Sequence, residues 1–169
     1  MGAYKEIKNS IVRGYKDRSD EYTQRMLLWR SQPPLIRVDK PTNIPRAREL
    51  GYKAKQGIIV ARVKVIGGAK KRKHFDGGRK PSKSGRFYTR AKSMQSIAEE
   101  RVARKFSNYE VLNSYFVGKS GSDSFYEVIM LNPSDASISN DSTYVNAASK
   151  RGRSFRGLTR TGRKHRGIA

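Results

Sequence analysis

The stretch "GYKAKQGIIVARVKVIGGAKKRKHFDGGRK", residues 51 to 80, begins as an apolar strand and ends as a cluster of cations. From Ile58 to Ile66 the side chains alternate, with Arg62 and Lys64 facing away from the apolar set, which is typical of a half-buried β-strand. The segment after Gly67 is rich in lysine and arginine, and its only acid before residue 81 is Asp76. We therefore predict a sheet protein whose basic loop is neutralised by anions from outside the chain.

The charge balance of the whole chain supports this interpretation. Its 37 lysines and arginines face 14 aspartates and glutamates, which leaves a net charge of +23 on 169 residues. This excess is far larger than solubility requires, and its self-repulsion destabilises a compact free state. Nucleic acid is the leading candidate for the missing polyanion, and an anionic membrane surface is the second.

Several classes of protein are excluded at this stage. No apolar run reaches the roughly 18 residues of a membrane-spanning helix. The opening "MGAYKEIKNS" lacks the apolar segment of a signal peptide, so we expect the chain inside the cell. The chain has no cysteine, which rules out disulfides and thiolate metal sites.

Residues 1–30 predict two helices that share one apolar stripe. Ser19, followed by Asp20 and Glu21, is a plausible N-cap that separates them. We expect the stripe to pack on the domain, with a membrane-surface helix as the alternative. The stripe consists of Tyr4, Ile7, Ile11, Tyr15, Tyr22, Met26 and Trp29.

Residues 31–50 contain four prolines and predict a stiff connector without regular structure. Residues 51–149 predict an α/β core that includes a basic loop at 67–92. Its strands are expected near 58–66, 109–117 and 124–131, and its helix near 94–105, capped by Ser93 or by Ser96 with Glu99. The fold class is α+β, a small, mainly antiparallel sheet packed with helices.

The last segment, residues 150–169, contains no acid and few large apolar side chains. Such a segment has too little apolar surface to secure a core of its own, so we predict an extended basic tail that binds RNA. Residues 157–159 can start one short helical turn on RNA, with Arg160, Arg163 and Lys164 along one side of it.

Catalytic motifs are missing. "GKS" at Gly118 to Ser120 lacks the first glycine of a P-loop and lies within the predicted hairpin. His74 and His165 are too few for a metal site. No nucleophile, base and orienting group occur together, so we predict no enzyme activity, no cofactor, no metal and no small-molecule substrate.

The candidate RNA-binding residues are cations and polar side chains in three segments. Lysine and arginine in loops follow phosphates, and arginine grips phosphate with two donors. Aromatic side chains among them, Phe75, Phe87, Tyr88 and Phe155, are suited to stack on unpaired bases. The first segment supplies Arg46, Arg48, Tyr52, Lys53, Lys55 and Gln56. The basic loop supplies Lys70, Lys71, Arg72, Lys73, Arg79, Lys80, Lys83, Arg86, Arg90 and Lys92. The tail supplies Arg151, Arg153, Arg156, Arg160, Arg163, Lys164 and Arg166.

Long blocks of the sequence resemble the large-subunit ribosomal protein family numbered fifteen in the archaeal and eukaryotic scheme. The blocks are "RARELGYKAKQGIIVARVKVIGG", "SIAEERVARKFSNYEVLNSYFVG", "FYEVIMLNP" and "FRGLTRTGRKHRG", in the family's order and spacing. The family's "LGYKAKQG" falls on Leu50 to Gly57, and its "RGLTSAGRK" falls on Arg156 to Lys164, with Arg160 and Thr161 in place of Ser and Ala. The basic loop matches the family in character more than in letters, and many relatives continue beyond the last block into a further basic tail.

The resemblance implies a non-catalytic component of the large ribosomal subunit in the cytoplasm. Its expected partners are large-subunit ribosomal RNA and neighbouring ribosomal proteins, with no membrane involved. Two alternatives stay open. A nucleic-acid-compacting architectural protein would need dimerisation or a groove-reading element. An RNA-modifying enzyme would need the missing catalytic set.

Overall fold

A computed structural model describes residues 2–70, 76–78, 80–85 and 88–168, with Lys83 described by its backbone only. The helices within these ranges are α1 Ala3–Asp17, α2 Asp20–Ser31, α3 Ile44–Glu49, α4 Met94–Lys105, α5 Ala136–Ser139, α6 Ser142–Ala148 and α7 Arg160–His165, with a 3-10 turn at Pro81–Lys83. The strands are β1 Leu35–Val38, β2 Ile58–Ile66, β3 Glu110–Ser120 and β4 Asp123–Leu131.

The strands form one antiparallel sheet in the order β1-β2-β4-β3. The hairpin of β3 and β4 turns at Gly121, whose φ of 57° lies in the left-handed region that glycine adopts without strain. Ser120 pairs with Asp123, so the strands extend further into the polar turn than the sequence predicts. The α+β class, the antiparallel sheet, the three predicted strands and the helix at 94–105 are confirmed.

Strand β2 shows the predicted alternation from Ala61 to Ile66, where Arg62 and Lys64 are only partly buried, but its first residues, Ile58 to Val60, are buried on both faces. One face packs Ala61, Val63 and Val65 against Ala98 and Val102 of α4. The opposite face contributes Ile58 and Val60 to a second cluster with α3, α5 and α6. Helices lie on both faces of the sheet because the chain after β4 returns beneath it. The periodicity of one strand cannot reveal which helices cover its second face.

Helix α2 begins at the predicted cap, since the Ser19 side chain accepts a hydrogen bond from the Tyr22 amide. Its apolar side chains Tyr22, Met26 and Trp29 pack on Phe125 of β4, which confirms the packing of this half of the stripe. The half in α1 packs less closely, because no residue of α1 is fully buried and, of its stripe residues, Tyr15 alone packs against this cluster.

The segment 31–50 contains both β1 and α3, so the prediction of a connector without structure is wrong. Its four prolines are compatible with structure here, since Pro45 sits in the first turn of α3, where no amide donor is needed. The segment is also anchored to the sheet. The amide of Thr42 donates to the fully buried Glu127 of β4 at 3.0 Å.

The C-terminal segment is folded against the domain, so the prediction of an extended arm is wrong, although none of its described residues belongs to a hydrophobic cluster and a short helix is present at the predicted place. It forms turns and then α7, and its Thr159 is completely buried. Gly162 lies so close to the backbone of Gly157 that a Cβ atom would approach it to 2.6 Å. Because the segment has few apolar side chains, it is held mainly by hydrogen bonds to two buried acids of the domain, Glu99 and Glu110.

Candidate nucleic-acid interface

Most of the cations that the structure describes have no carboxylate partner. Among the described residues, the ion pairs within 4 Å engage Lys8, Arg30, Arg46, Lys53, Lys55, Lys92 and Arg104. The remaining described cations are left to solvent, to backbone carbonyls or to aromatic rings. This leaves a large positive potential on the surface, which attracts polyanions.

In the first predicted segment, most of the cations are already engaged inside the protein. Lys53 and Lys55 both donate to Asp141, at 3.1 and 2.8 Å. These contacts, that of Lys55 above all, hold the pKa of Asp141 well below its usual range. Arg46 pairs with Glu49 at 2.6 Å, and Arg48 lies over the ring of Tyr4.

The two uncharged residues of this segment differ in position. Tyr52 packs against the cluster beneath the sheet, whereas Gln56 is exposed.

The basic loop is described only in part. Lys70 and Lys80 are exposed, Arg90 donates to the Ile66 carbonyl at 2.9 Å, and Lys92 pairs with Glu100 at 2.5 Å. Lys71, Arg72, Lys73, Arg79 and Arg86 and the side chain of Lys83, together with the aromatics Phe75 and Phe87, lie outside the described residues.

Two cations of the C-terminal segment have structural roles. Arg153 donates to the Val111 carbonyl at 2.7 Å, and its partial burial lowers the pKa of its guanidinium. Arg166 donates to the Gly157 carbonyl at 2.7 Å. The others are exposed and have no carboxylate partner among the described residues, namely Arg151, Arg156, Arg160, Arg163 and Lys164.

All of these exposed cations except Arg151 line one of two cavities. The first, of about 580 Å³, lies where α3, the start of α4, β3 and α7 meet. Its cations include Arg46, Arg160 and Lys164. The second, of about 420 Å³, lies between α6 and the C-terminal segment and includes Lys150, Arg156 and Arg163. No acidic side chain is among the described residues that line either cavity.

Glu99 is the anchor that fixes these cations relative to the sheet. Although it is only 1% exposed, its two carboxylate oxygens accept hydrogen bonds from Ser114 of β3 and from Thr159, the latter at 2.7 Å. Burial raises the pKa of Glu99 above the ordinary 4.5, against the opposing effect of these hydrogen bonds. Thr159 also caps α7 by accepting from the Gly162 amide at 3.2 Å.

A second buried acid also holds the C-terminal segment, at a point before Thr159 in the chain. Glu110, at the start of β3, accepts from the Gly152 amide with both oxygens, at 3.0 and 3.1 Å. Glu99 and Glu110 are far from the C-terminal segment in the sequence, yet both hold it in place. The fold brings these acids and the segment together.

The described residues offer little to other classes of site. No group of three or more histidine, aspartate or glutamate side chains among them is placed to hold a metal ion. None of the helices in the described ranges combines the length and apolarity that crossing a membrane requires. Gly118 of the "GKS" sequence lies in β3 under α2, consistent with the interpretation of this motif as part of a hairpin.

Comparison with known proteins identifies the class. A model of the family described as Ribosomal L15 matches residues 2–169. The large ribosomal subunit protein eL15 of Metallosphaera sedula is 44% identical over 169 residues, covering 98% of this chain and 74% of the relative. These matches identify the chain as a structural protein of the large ribosomal subunit, in agreement with its basic α+β fold. It belongs to the Ribosomal L15 family, as the sequence blocks predict.

The sequence did not reveal that Glu99 and Glu110 hold the C-terminal segment, nor which cations are exposed and which bond within the protein. Its pattern indicated Glu99 as a possible capping residue, although Ser93 is the cap of α4 and accepts from the Ser96 amide at 3.1 Å. An acid on the apolar face of a helix, next to Ala98 and Val102, was the available signal, because a buried carboxylate requires hydrogen-bond donors from elsewhere.

Proposed function

We propose that the protein binds large-subunit ribosomal RNA and stabilises its folded form during assembly and translation in the cytoplasm. The observation that carries this proposal is the set of exposed cations in the C-terminal segment. They meet no carboxylate within the described ranges, and buried acids hold their segment in place. A rigid array of cations binds phosphates without the entropy cost of ordering a free arm.

The candidate contacts fall into two groups. The exposed cations that line the two cavities are the leading candidates, together with the exposed Lys70 and Lys80 of the basic loop. Lys53, Lys55 and Lys92 are secondary candidates because a carboxylate already neutralises part of their charge. Arg153 and Arg166 support the segment through their bonds to backbone carbonyls.

The name of the relative from Metallosphaera sedula supports a place in the large subunit. Neighbouring ribosomal proteins are a second class of proposed partner. The α1 helix exposes Tyr4 and Ile7 to about half of their surface, which leaves apolar area for such contacts.

The direct test is binding to large-subunit rRNA transcripts at a series of salt concentrations. Log affinity is expected to fall linearly with log salt, by about 0.7 to 0.9 for each phosphate contact, and several contacts are expected. Sedimentation of cell lysate should place the chain with the large subunit. A salt slope near zero, or recovery away from the large subunit, would overturn the proposal.

A further inference from the structure

We infer that the 580 Å³ cavity between α3, β3 and α7 seats one unpaired nucleotide of RNA, with its phosphate on the cations at the rim and its base toward the amide side chains. The inference rests on the proposed function and names the ligand of one part of that interface. We call this cavity the α7 cleft. It is lined by Arg46, Arg160 and Lys164 on its charged side and by Gln95 and Asn113 on its neutral side.

The charged side has the chemistry of a phosphate site. Arg160 and Lys164 are separated by one helical turn of α7, so their side chains project along the same side of the helix. Both are exposed and neither pairs with a carboxylate within the described part of the chain. Arg46 enters from α3, and its contact with Glu49 engages Nη1, which leaves its other nitrogens as donors.

The neutral side has the chemistry of a base-edge site. Gln95 donates through Nε2 to the carbonyl and the hydroxyl of Ser114, at 3.0 and 2.8 Å, so its Oε1 is left as an acceptor. Asn113 accepts through Oδ1 from the Ser114 amide at 3.0 Å, which leaves its Nδ2 as a donor. Each amide is oriented by its existing bonds, and together they offer one acceptor and one donor to the edge of a base.

The cleft is preorganised for this ligand. The cap of α7, Thr159, is tied to Glu99 of α4, and Glu99 is tied to Ser114 of β3. Ser114 is also the partner of both amides. The phosphate side and the base side are therefore connected through Glu99 and Ser114, which are almost fully buried, and little ordering is required on binding. An unpaired nucleotide fits the cleft better than a duplex, because a base edge within a helix cannot enter a concave site.

The first experiment compares two double variants of equal charge. Arg160→Ala with Lys164→Ala removes two of the three cations on the phosphate side. Lys16→Ala with Lys105→Ala removes two exposed cations of α1 and α4 that lie outside the cleft. On large-subunit rRNA, the cleft variant is expected to lower the salt slope by about 1.4 to 1.8, two contacts at 0.7 to 0.9 each. The control is expected to change it by less than one contact.

The base side is tested by Asn113→Ala. Affinity for the rRNA transcript is expected to fall about fivefold to tenfold while the salt slope stays unchanged, since no charge is removed. Circular dichroism and thermal melting of each variant establish that the fold is retained. Because Asn113→Ala also frees the Ser114 amide, Asn113→Ser is a second variant that can keep a local acceptor and should give the same loss.

The second experiment locates the ligand. Since the chain has no cysteine, a single His165→Cys change at the rim of the cleft accepts a thiol-specific photo-crosslinker. Lys105→Cys is the matched control outside it. The cleft probe is expected to crosslink to one short rRNA segment containing an unpaired nucleotide, and the control is not expected to reach that nucleotide.

The outcomes separate the two claims. If the unmodified protein binds rRNA with a steep salt slope, but the cleft variants match the control or the crosslink falls within a continuous duplex, the nucleotide seat is refuted and the proposed function stands. If the unmodified protein shows no salt-dependent binding to rRNA, the proposed function itself fails.

Discussion

The hydroxyl of Thr159 donates a hydrogen bond to Glu99 Oε2 at 2.7 Å, and both side chains are buried. This bond joins the basic C-terminal segment to α4 and, through the second oxygen of Glu99, to β3. A segment with few apolar side chains is thus held by a buried acid, and the positions of its cations depend on that bond.

Replacing Thr159 with Val should destabilise the protein by about 1–3 kcal/mol, because Glu99 loses a buried donor and α7 loses its cap. Urea denaturation followed by circular dichroism measures the loss. Thr89→Val, at an exposed position, is the matched control and should remain within about 0.5 kcal/mol of the unmodified protein. Equal stability of the two variants would contradict the role of the Thr159 bond.

The raised pKa of Glu99 predicts a specific dependence of stability on pH. Because the folded protein holds the Glu99 proton more tightly than the unfolded chain, this group stabilises the fold fully below the ordinary pKa of 4.5. The contribution is lost as the pH rises through the higher pKa of the folded state. Glu99→Gln cannot titrate and should lack this decline.

The measurement is the difference in unfolding free energy between the unmodified protein and Glu99→Gln from pH 4 to pH 8. Acids whose pKa values are lowered, such as Asp141 and Glu49, act with the opposite sign but are common to both proteins, so they cancel in the difference. The unmodified protein should lose stability relative to the variant as pH rises. A difference that is constant with pH would show that the pKa of Glu99 is the same in the folded and unfolded states.

Local patterns in the sequence predicted the elements that depend on neighbouring residues. The alternation of β2, the Ser19 cap and the apolar face of α4 each involve residues a few positions apart, and each was confirmed. The segments that were predicted wrongly depend on distant partners. Strand β1 exists because Leu35 to Val38 pair with β2, and α7 is held by an acid 60 residues away.

The candidate site shows the same division. The cation-rich segments are plain in the sequence, since they need only a count of charges. The sequence does not show which of these cations are free, because their partners are distant. Lys53 donates to Asp141, 88 positions away, and Arg153 donates to the Val111 carbonyl, 42 positions away. Sorting surface cations from supporting ones requires the fold.

Gly118 of β3 is expected to accept a side chain only at a cost. A Cβ atom there would lie 2.8 Å from Met26 Sδ and 2.8 Å from the Tyr22 hydroxyl, so both of these buried side chains would have to shift. Gly118→Ala should cost about 1–3 kcal/mol. Gly14→Ala in α1 is the matched control, because its Cβ atom meets only Ser19 Oγ at an ordinary 3.4 Å.

The control should in fact be stabilising by about 0.5–1 kcal/mol, since alanine is a better helix former than glycine. Thermal melting of the two variants should therefore move in opposite directions. A melting temperature for Gly118→Ala equal to that of the unmodified protein would show that the Met26 and Tyr22 side chains shift at no cost in stability.

Asp141 is expected to limit the affinity for RNA. It accepts hydrogen bonds from Lys53 and Lys55, and its lowered pKa means that these pairs persist at neutral pH and well into the acid range. Asp141→Asn removes the negative charge, and asparagine can keep the cap that Asp141 provides for α6. Freed of their partner, the two lysines become available to phosphate.

For Asp141→Asn, affinity for large-subunit rRNA should rise several-fold, and the salt slope should steepen by about 0.7 to 1.8, which corresponds to one or two additional contacts. Glu21→Gln is the matched control. It removes one exposed acid from the first turn of α2 that pairs with no cation among the described residues. An increase that is the same for both variants would reflect net charge alone. A steeper slope for Asp141→Asn only would place Lys53 and Lys55 at the RNA, since a contact counted by the salt slope requires a cation that meets a phosphate.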